Sequence, residues 1–219
     1  MQKTWSLIRQ NIKWIIVFVC IGIFLAIAED AFHQEIMRMD VAGQNFVHNC
    51  LYSAPLTALF KVITTLGGPV VLISLTILLF FLIKNKKIGL AITVNLVITV
   101  ILNQIFKFIV QRPRPEVFRL IDESGYSFPS GHSMCSMAFY GFLIYLIFTH
   151  VKNVKLKWAL SIILALLILS IGLSRIYLGV HYVSDVIAGF IFSFAYLIVY
   201  ISFIREINLK TKQPKLAQK

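Results

Sequence analysis

Apolar residues gather in six blocks along the chain, and short polar stretches separate them. The blocks run from Trp14 to Ala28, Pro69 to Ile83, Ile88 to Phe106, Ser133 to Phe148, Trp158 to Leu173 and Tyr182 to Ile204. Several approach the roughly 20 residues that a helix needs to cross the hydrocarbon layer of a bilayer. The pattern predicts an all-α polytopic membrane protein with six transmembrane helices, built as a single domain over residues 1–219. Between the first two blocks, residues 31–68 read differently. "MDVAGQNFVHNC" and "LTALFKVITTLGG" place apolar residues at helical spacing with polar residues between them, as short helices lying in the membrane interface do. The first block follows Lys3, Arg9 and Lys13 and ends in "AIA" before Glu29 and Asp30, so a cleaved signal peptide is its rival reading. A retained helix is favoured because the other spans need a partner to pack on.

Composition agrees with the pattern. Of 219 residues, 58% are hydrophobic and only 14% charged, a balance rare in soluble domains. A net charge of +12 raises the question of nucleic acid, but the basic residues form no single patch. They sit in short clusters beside the apolar blocks, as juxtamembrane charges do, which argues against nucleic-acid binding. Their distribution sets an orientation. With the N-terminus inside, Lys3, Arg9, Lys13, Lys84, Lys86, Lys87, Lys152, Lys155, Lys157, Arg205, Lys210, Lys212, Lys215 and Lys219 all face the cytoplasm. Only Arg38, Lys61, Lys107, Arg112, Arg114, Arg119 and Arg175 face out. Both termini are expected in the cytoplasm, with residues 205–219 as a basic cytoplasmic tail whose last stretch, "KTKQPKLAQK", is expected to be disordered. Cys20, Cys50 and Cys135 have no zinc-like or redox-like spacing, and unpaired thiols are favoured over a Cys50–Cys135 bridge.

This topology brings three segments to one face. The third block ends outward near Lys107, and the loop after it carries Arg112, Arg114 and Arg119. The fourth begins outward at Ser130, Gly131 and His132; the fifth ends outward at Ser174 and Arg175; the sixth begins with His181 and Asp185. Ionisable groups at membrane depth are costly and mark functional sites. His181 and Asp185, four apart, share a helix face, so a carboxylate can fix the imidazole tautomer and leave the other ring nitrogen as nucleophile or base. Lys107, Arg114 and Arg175 are three cations whose obvious local counter-charge is Asp185, an excess that asks for a polyanion. Ser130 and Gly131 open a helix whose free N–H groups and dipole favour an anion. Glu116, Asp122 and Glu123 have no evident partners and form no carboxylate cluster, so no metal or other cofactor is expected.

The spacing is specific. Residues 107–115 read "KFIVQRPRP", residues 129–132 "PSGH" and residues 174–185 "SRIYLGVHYVSD". These three motifs, in this order, resemble the type 2 phosphatidic acid phosphatase superfamily of lipid phosphate phosphatases, in its integral membrane branch. The resemblance covers about residues 69–204. It implies that His181 is a nucleophile that becomes a phosphohistidine, that Asp185 orients it, and that His132 is general acid and then base. It also implies that Lys107, Arg114, Ser130, Gly131 and Arg175 cradle the phosphate. The expected partners are the bilayer and a membrane lipid phosphate such as phosphatidylglycerophosphate, phosphatidic acid or undecaprenyl diphosphate. The expected place is a cell membrane, with the site on the extracytoplasmic side. A phosphate-binding or transport protein and a lipid phosphotransferase are the rival readings. His132, His181 and Asp185 speak against the first; nothing in the motifs separates the second. The sequence leaves the oligomeric state open.

Overall fold

The computed structural model describes residues 2–212, and side chains over residues 11–206. It is all-helical among the described residues: α1 (Gln2–Phe32), α2 (Arg38–Phe46), a π-helical turn (Val47–Leu51), α3 (Ala54–Thr65), α4 (Pro69–Leu82), α5 (Lys86–Val110), α6 (Gly131–His150), α7 (Val154–Tyr177) and α8 (Val183–Lys212). The expectation of disorder from residue 210 is corrected at its start, since α8 continues through Lys212; residues 213–219, and the side chains of Lys3, Arg9 and everything from 207 onward, lie outside the described residues.

Local signals account for most of the helix starts. Pro69 opens α4 after Gly68, and Pro55 lies in the first turn of α3, where a missing N–H costs nothing. Asn85, Ser130 and Asn153 cap α5, α6 and α7, each accepting a backbone N–H with its side chain. Gln111 ends α5 in the left-handed conformation, φ 51°, turning the chain abruptly out of the helix.

Five helices among the described residues are long and apolar enough to cross a membrane: α1, α5, α6, α7 and α8. The second apolar block differs from its expectation. Its helix, α4, has 14 residues, or about 21 Å at helical rise, short of a hydrocarbon layer of about 30 Å. It joins α3 at an angle of 44°, and only this bent pair taken together makes a sixth span. The break falls at Leu66, Gly67 and Gly68, at the end of the stretch read as interfacial.

Helix α8 organises the bundle, packing against α1, α6 and α7. One apolar core joins Phe139 and Phe142 of α6 to Ile168 and Ile171 of α7 and Leu197 of α8. A second centres on Phe24 of α1, whose ring meets Phe106, Phe128 and Phe192 at centroid distances of 4.9, 5.8 and 4.9 Å. Outward, the bundle shows apolar side chains: Phe18 and Phe108 are 77% and 75% exposed, tolerable only against lipid. Polar links cross the apolar interior. Asn95 donates to the Ala138 carbonyl at 2.8 Å, and the Tyr200 hydroxyl to that of Ala91 at 2.6 Å. All three cysteines are free thiols.

α6 and α8 approach closely at Gly189. A Cβ there would lie 3.1 Å from both the Ser130 carbonyl oxygen and the Ser133 Cβ, and backbone cannot yield as a flexible side chain does. Gly189→Val is expected to cost about 1–3 kcal/mol of stability through overpacking, read as a lowered thermal midpoint of the detergent-solubilised protein.

Candidate active site

The ends of α5, α6, α7 and α8 meet at one end of the bundle, and the loop 111–130 folds over them. The two largest fully buried side chains there are arginines, Arg112 and Arg175.

His181 follows α7 after a turn built around Gly179, whose φ of 70° few other residues adopt without strain. Leu178 accepts the Leu120 N–H at 3.0 Å, tying this turn to the loop. The ring of His181 is buried, 1% exposed. Its Nδ1 faces Asp185 Oδ2 at 3.4 Å and Ser127 Oγ at 3.3 Å. Its Nε2 faces Arg114 Nη1 at 3.1 Å. A guanidinium only donates, so Nε2 is the acceptor and Nδ1 carries the hydrogen, toward the carboxylate. Burial, against the pull of Asp185, lowers the His181 pKa to about 4, so the ring is neutral at physiological pH.

Asp185, fully buried, accepts from the Ser127 hydroxyl, from the Tyr182 N–H at 2.8 Å and, on its other oxygen, from Arg112 Nη1 at 2.8 Å. The salt bridge of Asp185 is with Arg112, a partner the expectation did not name, while its charge also acts on Lys107 and Arg114. The reading of Glu123 as partnerless is corrected. Its carboxylate accepts from Arg175 Nη2 at 2.5 Å. Burial alone would raise the Glu123 pKa, but Arg175 overrides it and holds the group below the ordinary range.

Arg175 otherwise donates to Thr64 at 2.8 Å, and its Nε is buried with no hydrogen-bond partner among the described residues. Arg114 reaches the carbonyls of Val180, Ser124 and Gly125 at 2.9, 3.0 and 3.0 Å. The Lys107 ammonium, at the last turn of α5, forms no hydrogen bond or ion pair among the described residues, although Arg114, Glu123, Arg175 and Asp185 all act on its charge. Glu123 thus acts on all three cations, while Asp185, which also reaches Lys107 and Arg114, is already bridged to Arg112.

At the start of α6, Ser130 is buried and its side chain turns back on its own helix, accepting from the Ser133 hydroxyl at 3.0 Å. The N–H groups of Gly131 and His132 open the helix, where no preceding turn can accept them. Gly131 sits in a crowded place, since a Cβ would stand 3.0 Å from Asn103 Oδ1. Asn103 itself donates to the Pro129 carbonyl at 3.1 Å. His132 lies against the α3–α4 break: its Nε2 is 3.6 Å from the Cβ position of Gly68. The Tyr140 hydroxyl donates to the Leu66 carbonyl at 2.7 Å and pins that break in place.

The structure thus brings His181, Asp185, His132, Lys107, Arg114, Ser130, Gly131 and Arg175 to one end of the bundle. Sequence reasoning passed over Asp40, Thr64 and Ser127, left Glu123 without a partner, and gave Arg112 no role. The doubled "RPRP" was the one local signal for Arg112. Among the described residues no three His, Cys, Asp or Glu side chains gather as a metal site.

The site sets a buried histidine–aspartate pair beside three cations at one end of a membrane-type helical bundle, an excess of positive charge suited to an anion. A model of the PAP2 superfamily matches residues 88–208, more than half of the chain, and the chain belongs to that superfamily. It is 39% identical over 94 residues to phosphatidylglycerophosphatase B of Bacillus subtilis, covering 41% of this chain and 45% of that protein. It is 31% identical over 146 residues to an undecaprenyl-diphosphatase of Sulfolobus acidocaldarius, covering 63% of this chain and 66% of that protein. These alignments span less than two thirds of either relative. The crystal structure of a transmembrane PAP2-type phosphatidylglycerolphosphate phosphatase from Bacillus subtilis superposes with a TM-score of 0.75 at 28% identity, covering 86% of this chain and 96% of that one.

The lowered His181 pKa ties stability to pH. Unfolded, the ring titrates near 6.5; folded, near 4. Between these values the unfolded chain binds the extra proton, so the contribution is present above pH 6.5 and lost as pH falls toward 4. The thermal midpoint of the protein is expected to fall between pH 7 and pH 4.5, and less steeply in His181→Asn.

Proposed function

We propose that this protein hydrolyses a phosphomonoester or diphosphate of a membrane lipid through a phosphohistidine intermediate. The observation that carries the reading is a neutral His181 whose Nε2 lone pair faces Arg114, at the end of the bundle where Lys107, Arg175 and Glu123 also lie. A binding site needs the cations; it does not need a histidine whose tautomer is set to leave a lone pair facing them. The names of the similar proteins support a lipid substrate, and phosphatidylglycerophosphate, phosphatidic acid and undecaprenyl diphosphate are the proposed candidates. The Lys and Arg distribution supports both termini in the cytoplasm and a site on the extracytoplasmic side of a cell membrane.

In the proposed reaction the Nε2 lone pair of His181 attacks phosphorus. The P–O bond to the leaving group breaks, and His132 delivers a proton to the departing oxygen. Asp185 accepts from Nδ1–H and stabilises the positive charge that the ring acquires. Lys107, Arg114, Arg175 and the N-terminus of α6 at Ser130 and Gly131 hold the equatorial oxygens, whose charge is what a phosphoryl-transfer site must stabilise. His132, now neutral, takes a proton from water, which attacks the phosphohistidine and releases phosphate. The Arg114 bond to Nε2 has to open for attack, and an arriving phosphate offers that guanidinium a better acceptor. Side-chain cations supply the charge that a metal would, and no step requires one.

The test is phosphate release from a panel of lipid phosphates by the full chain in detergent with chelator, beside His181→Ala. Release by the wild type is expected, falling about a thousandfold or more in the variant, as losing a nucleophile does. No release from any lipid would favour binding or transport; transfer to an added alcohol in place of water would favour a phosphotransferase. Vanadate, able to adopt the five-coordinate geometry of the transition state, is expected to inhibit; unchanged activity at saturating vanadate would remove His181 as nucleophile.

A further inference from the structure

Asp185 carries a burden that its role as partner of His181 does not explain. Its Oδ2 serves His181, Ser127 and the Tyr182 N–H, while its Oδ1 is taken by Arg112 Nη1 at 2.8 Å. A carboxylate fully neutralised by an arginine does little for a neighbouring imidazole that turns positive. The structure meets this with a second carboxylate. Arg112 Nη2 donates to Asp40 Oδ2 at 2.9 Å and to the Glu35 carbonyl at 2.7 Å. Arg112 Nη1 also donates to Ser184 Oγ at 2.7 Å. Asp40 closes the circuit by accepting the Ser184 N–H and hydroxyl, both at 2.8 Å. The guanidinium lies 4.2 Å from the centre of the Tyr182 ring. Arg112, Asp40 and Asp185 are 1%, 0% and 0% exposed, so solvent does not screen them.

Two carboxylates around one guanidinium leave one net negative charge next to His181. Each terminal nitrogen of Arg112 makes two hydrogen bonds to the protein, whereas each of Arg175 makes one and its Nε, buried, makes none among the described residues. Arg112 thus has no hand free for phosphate.

We propose that Asp40 and Arg112 are positioning residues for the His181–Asp185 pair: Arg112 orients the Asp185 carboxylate, and Asp40 offsets the arginine so that Asp185 keeps its charge for the ring. This rests on the phosphohistidine reading. Neither residue touches the phosphate, so both act on the rate and not on affinity. Asp40 comes from α2, in the stretch before the membrane core, and its side-chain hydrogen bonds toward the site, among the described residues, run through Arg112 and Ser184.

The experiment compares Asp40→Asn, Asp185→Asn and the double variant with the wild type, each checked for an unchanged thermal midpoint near neutral pH. Asp40→Asn is expected to lower kcat about 10- to 100-fold, the range that outer hydrogen-bond partners of metal-bound histidines carry, with KM within about twofold. In the Asp185→Asn background the same change is expected to cost little more, because its route of action is gone. Equal losses in both backgrounds, or a loss confined to KM, would overturn the proposal. A readout apart from turnover is the ring 15N spectrum of His181 at neutral pH. The wild type is expected to show the Nδ1–H tautomer and Asp40→Asn a mixture; identical spectra would overturn the proposal. A wild type that releases no phosphate from any lipid would defeat the reading beneath it, while the 15N comparison would still decide whether Asp40 reaches the ring.

Discussion

A guanidinium buried between two carboxylates is the constraint on which the site depends. Removing an arginine from water costs several kcal/mol unless its hydrogens find charged acceptors. Arg112 finds them on two different helices, Asp40 on α2 and Asp185 on α8, and it reaches both from the loop after α5. Three segments distant in the chain therefore close on one charge. Burial opposes the Arg112 charge, but Asp185 and Asp40 outweigh it and raise its pKa above the ordinary value. The cation is permanent, and so is the clamp. With Asp185 held on one side, its other oxygen can meet His181 in only one way.

Against this satisfied arginine, Arg114 and Arg175 stand in contrast. They are almost as deeply buried, yet their bonds run mainly to backbone carbonyls, a threonine and one exposed-side glutamate. Burial, together with neighbouring like charge, lowers the Arg114 pKa. The same residue type thus does two jobs. Where two carboxylates enclose one cation, the arginine holds the frame; where the cations outnumber the carboxylates, positive charge is left over. Charge balance, more than residue identity, separates structure from site.

Much of this was legible in the amino-acid sequence. Five of the six apolar blocks became single long helices, because a run of apolar residues near 20 long has few other ways to satisfy its backbone in lipid. The spacing of the three motifs named residues that the helix ends do bring together. Pro69 marked the start of α4, but the length of its block concealed the break at Gly67 and Gly68, where α3 and α4 divide one span between them. Asp40 left no trace, since a polar residue in an amphipathic helix looks like any solvated one. Its partners lie 72 and 144 positions away, beyond what local periodicity reports. Glu123 was hidden for the same reason: an acid in a loop of mixed polarity gains a meaning only when Arg175 folds beneath it.

The superfamily signature spans residues 88–208, and every motif lies within it. The clamp does not. Its outer carboxylate sits at residue 40, and Thr64 and Gly68, which line the site beside Arg175 and His132, also precede the signature. A chimera that carried residues 88–208 onto a foreign N-terminal half would keep the whole recognisable vocabulary of the family. It would also carry a buried cation with one counter-charge missing. The unit that can be inherited or transplanted intact is therefore longer than the unit that can be recognised, and any drift at position 40 has to be answered at position 112.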